Sequence, residues 1–292
     1  MQKNIDNFIS YLEIERNYAL NTRRAYARDL QQLLRFLQQQ NINSLSTVSP
    51  EQLKTTIMNL RSRGSNARSI SRYLSAVRGF FAYLFNHNAI SNNPALGLKA
   101  PKIEQNLPKI ISYEQIALLL KPRAQTLSEL RDVAILEVIY ACGLRVSELT
   151  SLDINSIDKQ QGFLQIVGKG GKMRHTPIGK FAQQAISNYL QKIGSNQGAL
   201  FLNQKGNRIS TRAIELMIKK RALEIGIKIS VYPHMLRHAA ATHFLQSSHD
   251  LRSVQEFLGH KSIKSTQTYT HLDFLELSKV YDQCHPRAKK LR

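Results

Sequence analysis

Apolar residues recur at helical spacing through the first ninety positions. Ile5, Phe8, Ile9 and Leu12 mark a first helix, and Tyr26, Leu30, Leu33, Leu34 and Leu37 form the stripe of a second, capped by Thr22. Arg23, Arg24, Arg28 and Arg35 lie mostly off that stripe. Ser49-Pro50-Glu51-Gln52 starts a third helix, with a serine cap, proline at the first helical position and glutamine where a capping box needs it. That helix runs through Leu53, Ile57 and Leu60 and stops at Gly64. A fourth begins near Ser65, with Ile70, Leu74, Val77, Phe80, Phe81 and Leu84 on one face and Arg68, Arg72 and Arg78 on the other.

The period then lapses. Asn93-Pro94, Ala100-Pro101 and Leu107-Pro108 punctuate residues 91–110, which read as a linker. Helical patterning resumes near Ser112, and Val133–Leu144 reads as a buried helix leading into Gly143-Leu144-Arg145. Phe163–Val167 and Met173–Ile178 are β-rich runs around Gly168-Lys169-Gly170-Gly171-Lys172, the pattern of a hairpin with a glycine-rich tip. From about Lys180 the chain is again mostly helical. The predicted fold is mainly α, of the α+β kind: a four-helix domain over 1–90, a linker over 91–110, and an α-rich domain with a small antiparallel sheet over 111–292.

Charge changes this picture most. Among 292 residues there are 41 Lys and Arg against 20 Asp and Glu, a net charge of +21. The excess is in both halves, with 13 basic and 5 acidic side chains in residues 1–100 and 28 and 15 in the remainder. Both halves are therefore expected to touch one polyanion, with nucleic acid as the default partner; the alternative is a generally basic protein kept soluble by self-repulsion. No uncharged apolar run approaches the ~18 residues of a membrane span, and the first residues lack the apolar core of a signal peptide. Cys142 and Cys284 are too few for a disulfide framework or a cysteine zinc site. A cytoplasmic protein is expected.

Four clusters carry candidate chemistry. In Gly143–Leu149, Arg145 and Glu148 are three apart, close enough to pair on one helical face; a purely structural pair closing a helix is the competing reading. At the hairpin tip, glycines leave Lys169 and Lys172 free to project into a groove, or to touch phosphates non-specifically. His234 and Arg237 share a face at a helix start after Pro233, where the helix field favours an anion; His234 and His238 could instead hold a metal. Last come Leu258-Gly259-His260 and, nine residues after the histidine, Tyr269. Taken together, Arg, Lys, His-x-x-Arg, His and Tyr supply what metal-free phosphodiester transfer requires. These are a nucleophile, cations for the non-bridging oxygens and an acid for the leaving oxygen.

In this order, Gly143-Leu144-Arg145-Val146-Ser147-Glu148-Leu149, Gly168-Lys169-Gly170, His234-x-Leu236-Arg237-His238, Leu258-Gly259-His260 and Tyr269-Thr270-His271 resemble the motifs of the tyrosine site-specific recombinases, and within them the bacterial Xer recombinases. Leu251-Arg252-x-Val254-Gln255 and His285-Pro286-Arg287-Ala288 look like that family's XerC branch. The resemblance spans the whole chain. It implies Tyr269 as the nucleophile of a 3′-phosphotyrosyl intermediate, Arg145 and Arg237 as the clamp on the scissile phosphate, His234 and His260 as hydrogen-bonding and proton-handling groups, and Lys169 rather than Lys172 at the hairpin-lysine position. Glu148 matches an accessory position supporting the first arginine. The resemblance also implies no cofactor and no metal, and N-terminal helices that form one jaw of a DNA clamp, with Arg23, Arg24, Arg68, Arg72 and Lys172 as DNA contacts. Its further implications are a dif-like duplex as substrate, a heterotetramer with a XerD sister that resolves chromosome dimers, regulation by the septal translocase FtsK, and docking of Phe274–Val280 on a neighbouring protomer, packing on its own domain being the alternative. A phage or transposon integrase, a type IB topoisomerase and a non-catalytic DNA-binding regulator are the competing functions. Retention of all six polar residues in order disfavours the regulator.

Overall fold

The computed structural model describes residues 1–99, 111–158, 160–168, 173–259 and 271–288. It divides into two compact units, Met1–Leu107 and Pro108–Arg292. Helices α1 (Gln2–Ile14), α2 (Leu20–Gln39), α3 (Pro50–Ser62) and α4 (Ala67–Asn86) build the first. The predicted stripes are its core. Phe8, Leu30, Leu33, Leu37, Phe80 and Phe81 are almost wholly buried, and the two phenylalanines of α4 meet edge-on. Removal of such side chains from water is what holds four short helices together.

The caps follow the sequence in one helix and depart from it in two. Ser49 and Gln52 form the expected reciprocal capping box of α3, and Gly64, at φ +76°, ends that helix. The second helix starts earlier than Thr22: Ala19 is its N-cap, with no side-chain hydrogen bond, so Thr22 lies inside the first turn. The fourth starts later than Ser65, because Asn66 accepts the Ser69 N–H at 2.8 Å and so competes successfully for the cap. The described part of the presumed linker also belongs to this unit. Ile90, Ala95 and Leu98 are buried in its core, and Arg78 donates to the Leu98 carbonyl.

Two of the outward arginines are likewise committed internally. Arg72 grips the buried Asp29 of α2 through Nε and Nη2 at 2.8 and 2.9 Å, and Arg23 is largely buried and paired with Glu13. Arg24 and Arg68 remain exposed. Arg72→Met strips a buried carboxylate of its partner and lowers stability by about 1–3 kcal/mol. Arg24→Met and Arg68→Met stay within about 0.5 kcal/mol. Urea unfolding of the full chain measures all three, and equal midpoints would show that the Asp29–Arg72 pair contributes nothing.

The second unit contains α5 (Tyr113–Leu120), α6 (Leu127–Cys142), α7 (Val146–Ser151), strands β1 (Ile157–Asp158), β2 (Phe163–Val167) and β3 (Met173–Pro177), then α8 (Lys180–Ile193), α9 (Thr211–Glu224), α10 (Pro233–Ser248), α11 (Leu251–Leu258) and α12 (His271–Cys284). Every residue of α6 from Val133 to Cys142 is buried, which makes it the central helix against which α8 and α10 pack. The predicted hairpin is present as β2–β3, antiparallel, with Leu164 opposite Thr176 and Ile166 opposite Arg174. The two-residue β1 joins β2 to complete a three-stranded sheet in the order β1-β2-β3; a strand that short leaves no period to detect.

Helix α12 packs on α10, α11 and β3 of its own unit, with Leu277, Tyr281 and Ala288 inside that unit's core. His285, stacked on Tyr281, is buried deeply enough for burial to lower its pKa to about 3, and Arg287 ion-pairs with the buried Glu137. Of the apolar positions in Phe274–Val280, Leu277 is buried in this unit's core and Val280 packs against it.

Candidate active site

The site begins at a helix end. Gly143 caps α6 at φ +56°, and a Cβ there would fall 2.6 Å from Phe257 Cε1. Glycine is therefore required twice, for the left-handed turn and for the approach of the ring. The turn delivers Arg145 to the N-cap of α7, where its backbone N–H donates to Glu148 Oε2 at 2.8 Å and its Nη1 to Oε1 at 2.7 Å. One carboxylate thus caps a helix and holds the side chain of the capping residue.

Two further arginines reach the same carboxylate. Arg174 of β3 donates Nη1 to Oε1 and Nη2 to Oε2, both at 2.9 Å, a bidentate fork. Arg237, in the first turns of α10 after Pro233, brings Nη1 to 3.8 Å from Oε2. It also donates to the carbonyls of Gly143 and, at 2.6 Å, Leu258. The side chains of Glu148 and Arg237 are 6% and 4% exposed, whereas that of Arg145 is 43% exposed. Arg145 is thus the guanidinium most open to solvent, and Arg237 the one held most firmly. His234 is also exposed, three residues before Arg237 on α10.

Burial alone would raise the Glu148 carboxyl; the Arg174 fork, the Arg145 N–H and the surrounding positive charge reverse that and hold it at about 2. Arg237 is lowered to about 10 by burial and then by Arg145, which leaves it protonated at neutral pH. His234 is lowered by burial, then by Arg237, His238 and Arg145, so its imidazole is neutral at pH 7. Among the described residues no group of three His, Cys, Asp or Glu could hold a metal ion, and no helix is long and apolar enough to cross a membrane.

Of the residues expected from sequence, the structure therefore brings together Arg145, Glu148, His234 and Arg237. Lys169, Lys172, His260 and Tyr269 lie outside the described residues. Arg174 went unnoticed in the sequence. A signal existed: the hairpin register sets it directly opposite Ile166, on the buried face, where a charge needs a partner.

This architecture and this set of residues define a family. The Phage integrase family pattern matches residues 109–276, and the pattern of the phage integrase N-terminal SAM-like domain matches residues 5–88. The chain belongs to the phage integrase family and is a site-specific tyrosine recombinase, an enzyme that breaks and rejoins DNA strands. Within the family it is similar to proteins named tyrosine recombinase XerC. One from Pseudomonas fluorescens is 44% identical over 99% of this chain and 98% of that protein, and one from Pseudomonas putida is 41% identical over the same shares. Two solved structures share the fold: a lambda integrase (75–356) dimer bound to a COC′ core site, with TM-score 0.74, 15% identity and coverage of 92% of this chain and 98% of that one; and XerH bound to a palindromic difH substrate in a post-cleavage complex, with TM-score 0.69, 23% identity and coverage of 91% and 77%.

A carboxyl lowered on folding stabilises the native state above its unfolded pKa, and the contribution is lost as pH falls through the folded value. For Glu148 the window runs from about 4.5 down to about 2. Wild-type stability should fall more steeply than that of Glu148→Gln across this range, in parallel urea titrations. Identical slopes would show that the carboxylate is not held ionised by its arginines.

Proposed function

We propose that this recombinase acts on double-stranded DNA at a dif-like site, as the XerC-type member of a heterotetramer with a XerD-type sister, and resolves chromosome dimers in the cytoplasm under the septal translocase FtsK. The near-full-length similarity to proteins named XerC supports this reading, as does the charge of +21, which suits a polyanion. The observation that carries the chemistry is the convergence of Arg145 and Arg237 on the buried Glu148.

In the proposed reaction, the Tyr269 phenol attacks the scissile phosphorus. The bond to the 5′ oxygen breaks, and the product is a 3′-phosphotyrosyl link with a free 5′-hydroxyl. Arg145 and Arg237 take up the charge that builds on the non-bridging oxygens, as permanently protonated bidentate donors. Lys169 delivers the proton to the leaving 5′ oxygen. Neutral His234 donates a hydrogen bond to the phosphate, and His260 assists proton movement at the tyrosine. The phosphodiester energy is retained in the tyrosyl ester, so a 5′-hydroxyl from the partner duplex can reverse the step without a cofactor or metal. The first unit, which takes in residues 91–99, serves as the core-binding jaw and residues 111–292 as the catalytic domain. Arg24 and Arg68 are exposed for backbone contacts, with Lys172 at the hairpin tip; the share of Arg23 and Arg72 in DNA contact is reduced by their pairing with Glu13 and Asp29.

The test is a labelled dif-like duplex nicked near the cut position, so that the released fragment diffuses away. It is incubated with wild type or Tyr269→Phe, with and without the sister recombinase, in chelator, and resolved on a denaturing gel. A protein–DNA adduct is expected for wild type and not for the phenylalanine variant. DNA that is bound but never joined to protein under any of these conditions would overturn the catalytic assignments.

A further inference from the structure

Arg174 is confined from two sides. Its fork closes both oxygens of Glu148, its side chain is 10% exposed, and its buried Nε has no hydrogen-bond partner among the described residues. On its far side stands Gly259, at φ +60°, where a Cβ would lie 2.8 Å from that Nε and 2.9 Å from Cδ. The absence of a Cβ at Gly259 therefore leaves room for one edge of the guanidinium while Glu148 holds the other. Glu148 in turn fixes both the backbone and the side chain of Arg145.

We infer that Arg174 is a positioning residue for DNA cleavage: through the Glu148 carboxylate it sets where the Arg145 guanidinium stands. The inference rests on the role proposed above for Arg145. It also gives the hairpin a mechanical link to the phosphate clamp, since β3 begins at Met173, directly after the lysine-bearing tip in sequence. Arg145 alone gives each carboxylate oxygen one hydrogen bond, from its backbone N–H and from Nη1. A second, bidentate arginine from another element adds a donor to each oxygen and ties the carboxylate to the hairpin. A lysine could supply the charge but not the fork.

The variants are Arg174→Lys and Arg174→Met, in the full chain with the sister recombinase. Three things are measured: the single-turnover rate of adduct formation on the nicked duplex from about pH 5 to 8, DNA affinity by gel shift, and thermal melting. The groups facing Glu148 are Arg145 from α7, Arg174 from β3 and Arg237 from α10. Without Arg174, the upward push of burial on the carboxyl is opposed by two arginines and not three, so Glu148 takes a proton at higher pH. Arg174→Met should cleave about 10²-fold more slowly, and the deficit should grow toward acid pH. His234 titrates in both proteins, so the readout is the ratio of variant to wild type. Arg174→Lys, which keeps the charge, should show a similar deficit with a flatter pH dependence and near-wild-type melting and DNA binding.

Cleavage by both variants at the wild-type rate would overturn the inference while leaving Tyr269 and Arg145 in their roles. So would loss of cleavage no larger than the loss of binding, with a ratio constant across pH, because that pattern means a structural role alone. An absence of adduct from wild type would instead remove the catalytic reading, and this inference with it.

Discussion

Like charges cannot be gathered without a counter-charge, and the second unit is arranged around that constraint. Two guanidinium groups 4 Å apart repel by about 4 kcal/mol at an effective dielectric of 20. The structure brings three toward one point and sets the buried carboxylate of Glu148 between them. Three positive charges and one negative leave the cluster at +2. A phosphodiester carries −1 in its ground state and approaches −2 on its non-bridging oxygens as the nucleophile adds. In the proposed reaction such a cluster would gain more from the transition state than from the substrate, which is the condition for catalysis and not merely for binding.

Precision in this cluster is bought with backbone. Gly143 and Gly259 end α6 and α11 in left-handed turns, and each lies against a side chain that a Cβ would displace: Phe257 in the first case and Arg174 in the second. Their neighbouring carbonyls are used as well. Arg237 donates to Gly143 and Leu258, so the same two helix ends that make room for the arginines also anchor one of them. Carbonyls at a helix C-terminus lack partners within the helix and carry the negative end of its dipole, which makes them suitable acceptors for a buried cation. The central helix α6, buried from Val133 to Cys142, gives these ends a rigid base. At the other extreme of the unit, the chain returns after α12 to pair Arg287 with Glu137 of that same helix.

Much of this was legible beforehand, for definite reasons. The four helices of the first unit, the buried α6 and the hairpin follow from apolar period alone, and the Arg145–Glu148 pair follows from three-residue spacing. The start of α2 is not legible at Thr22, because its N-cap is Ala19, which has no side-chain hydrogen bond to announce it. The pairing of Arg72 with Asp29 is not legible in sequence, because the two are 43 residues apart and on different helices. Arg174 was missed for the same reason: its partner Glu148 is 26 residues distant, and only the strand register discloses that the position faces inward. In the C-terminal helix the apolar period alone does not say which core receives each residue; Leu277 and Tyr281 lie in the core of their own unit.

The central claim is that the arginines held by Glu148 act on phosphate charge. It is tested most directly by comparing the adduct-forming rates of wild type and Arg145→Ala on two duplexes, one with the ordinary scissile phosphate and one with an uncharged methylphosphonate at that position. The account predicts a large loss for the variant on the phosphate and a much smaller one on the neutral linkage, where less charge remains to be stabilised. An equal fold-loss on both substrates would contradict it, because Arg145 would then be acting through shape or folding and not through charge.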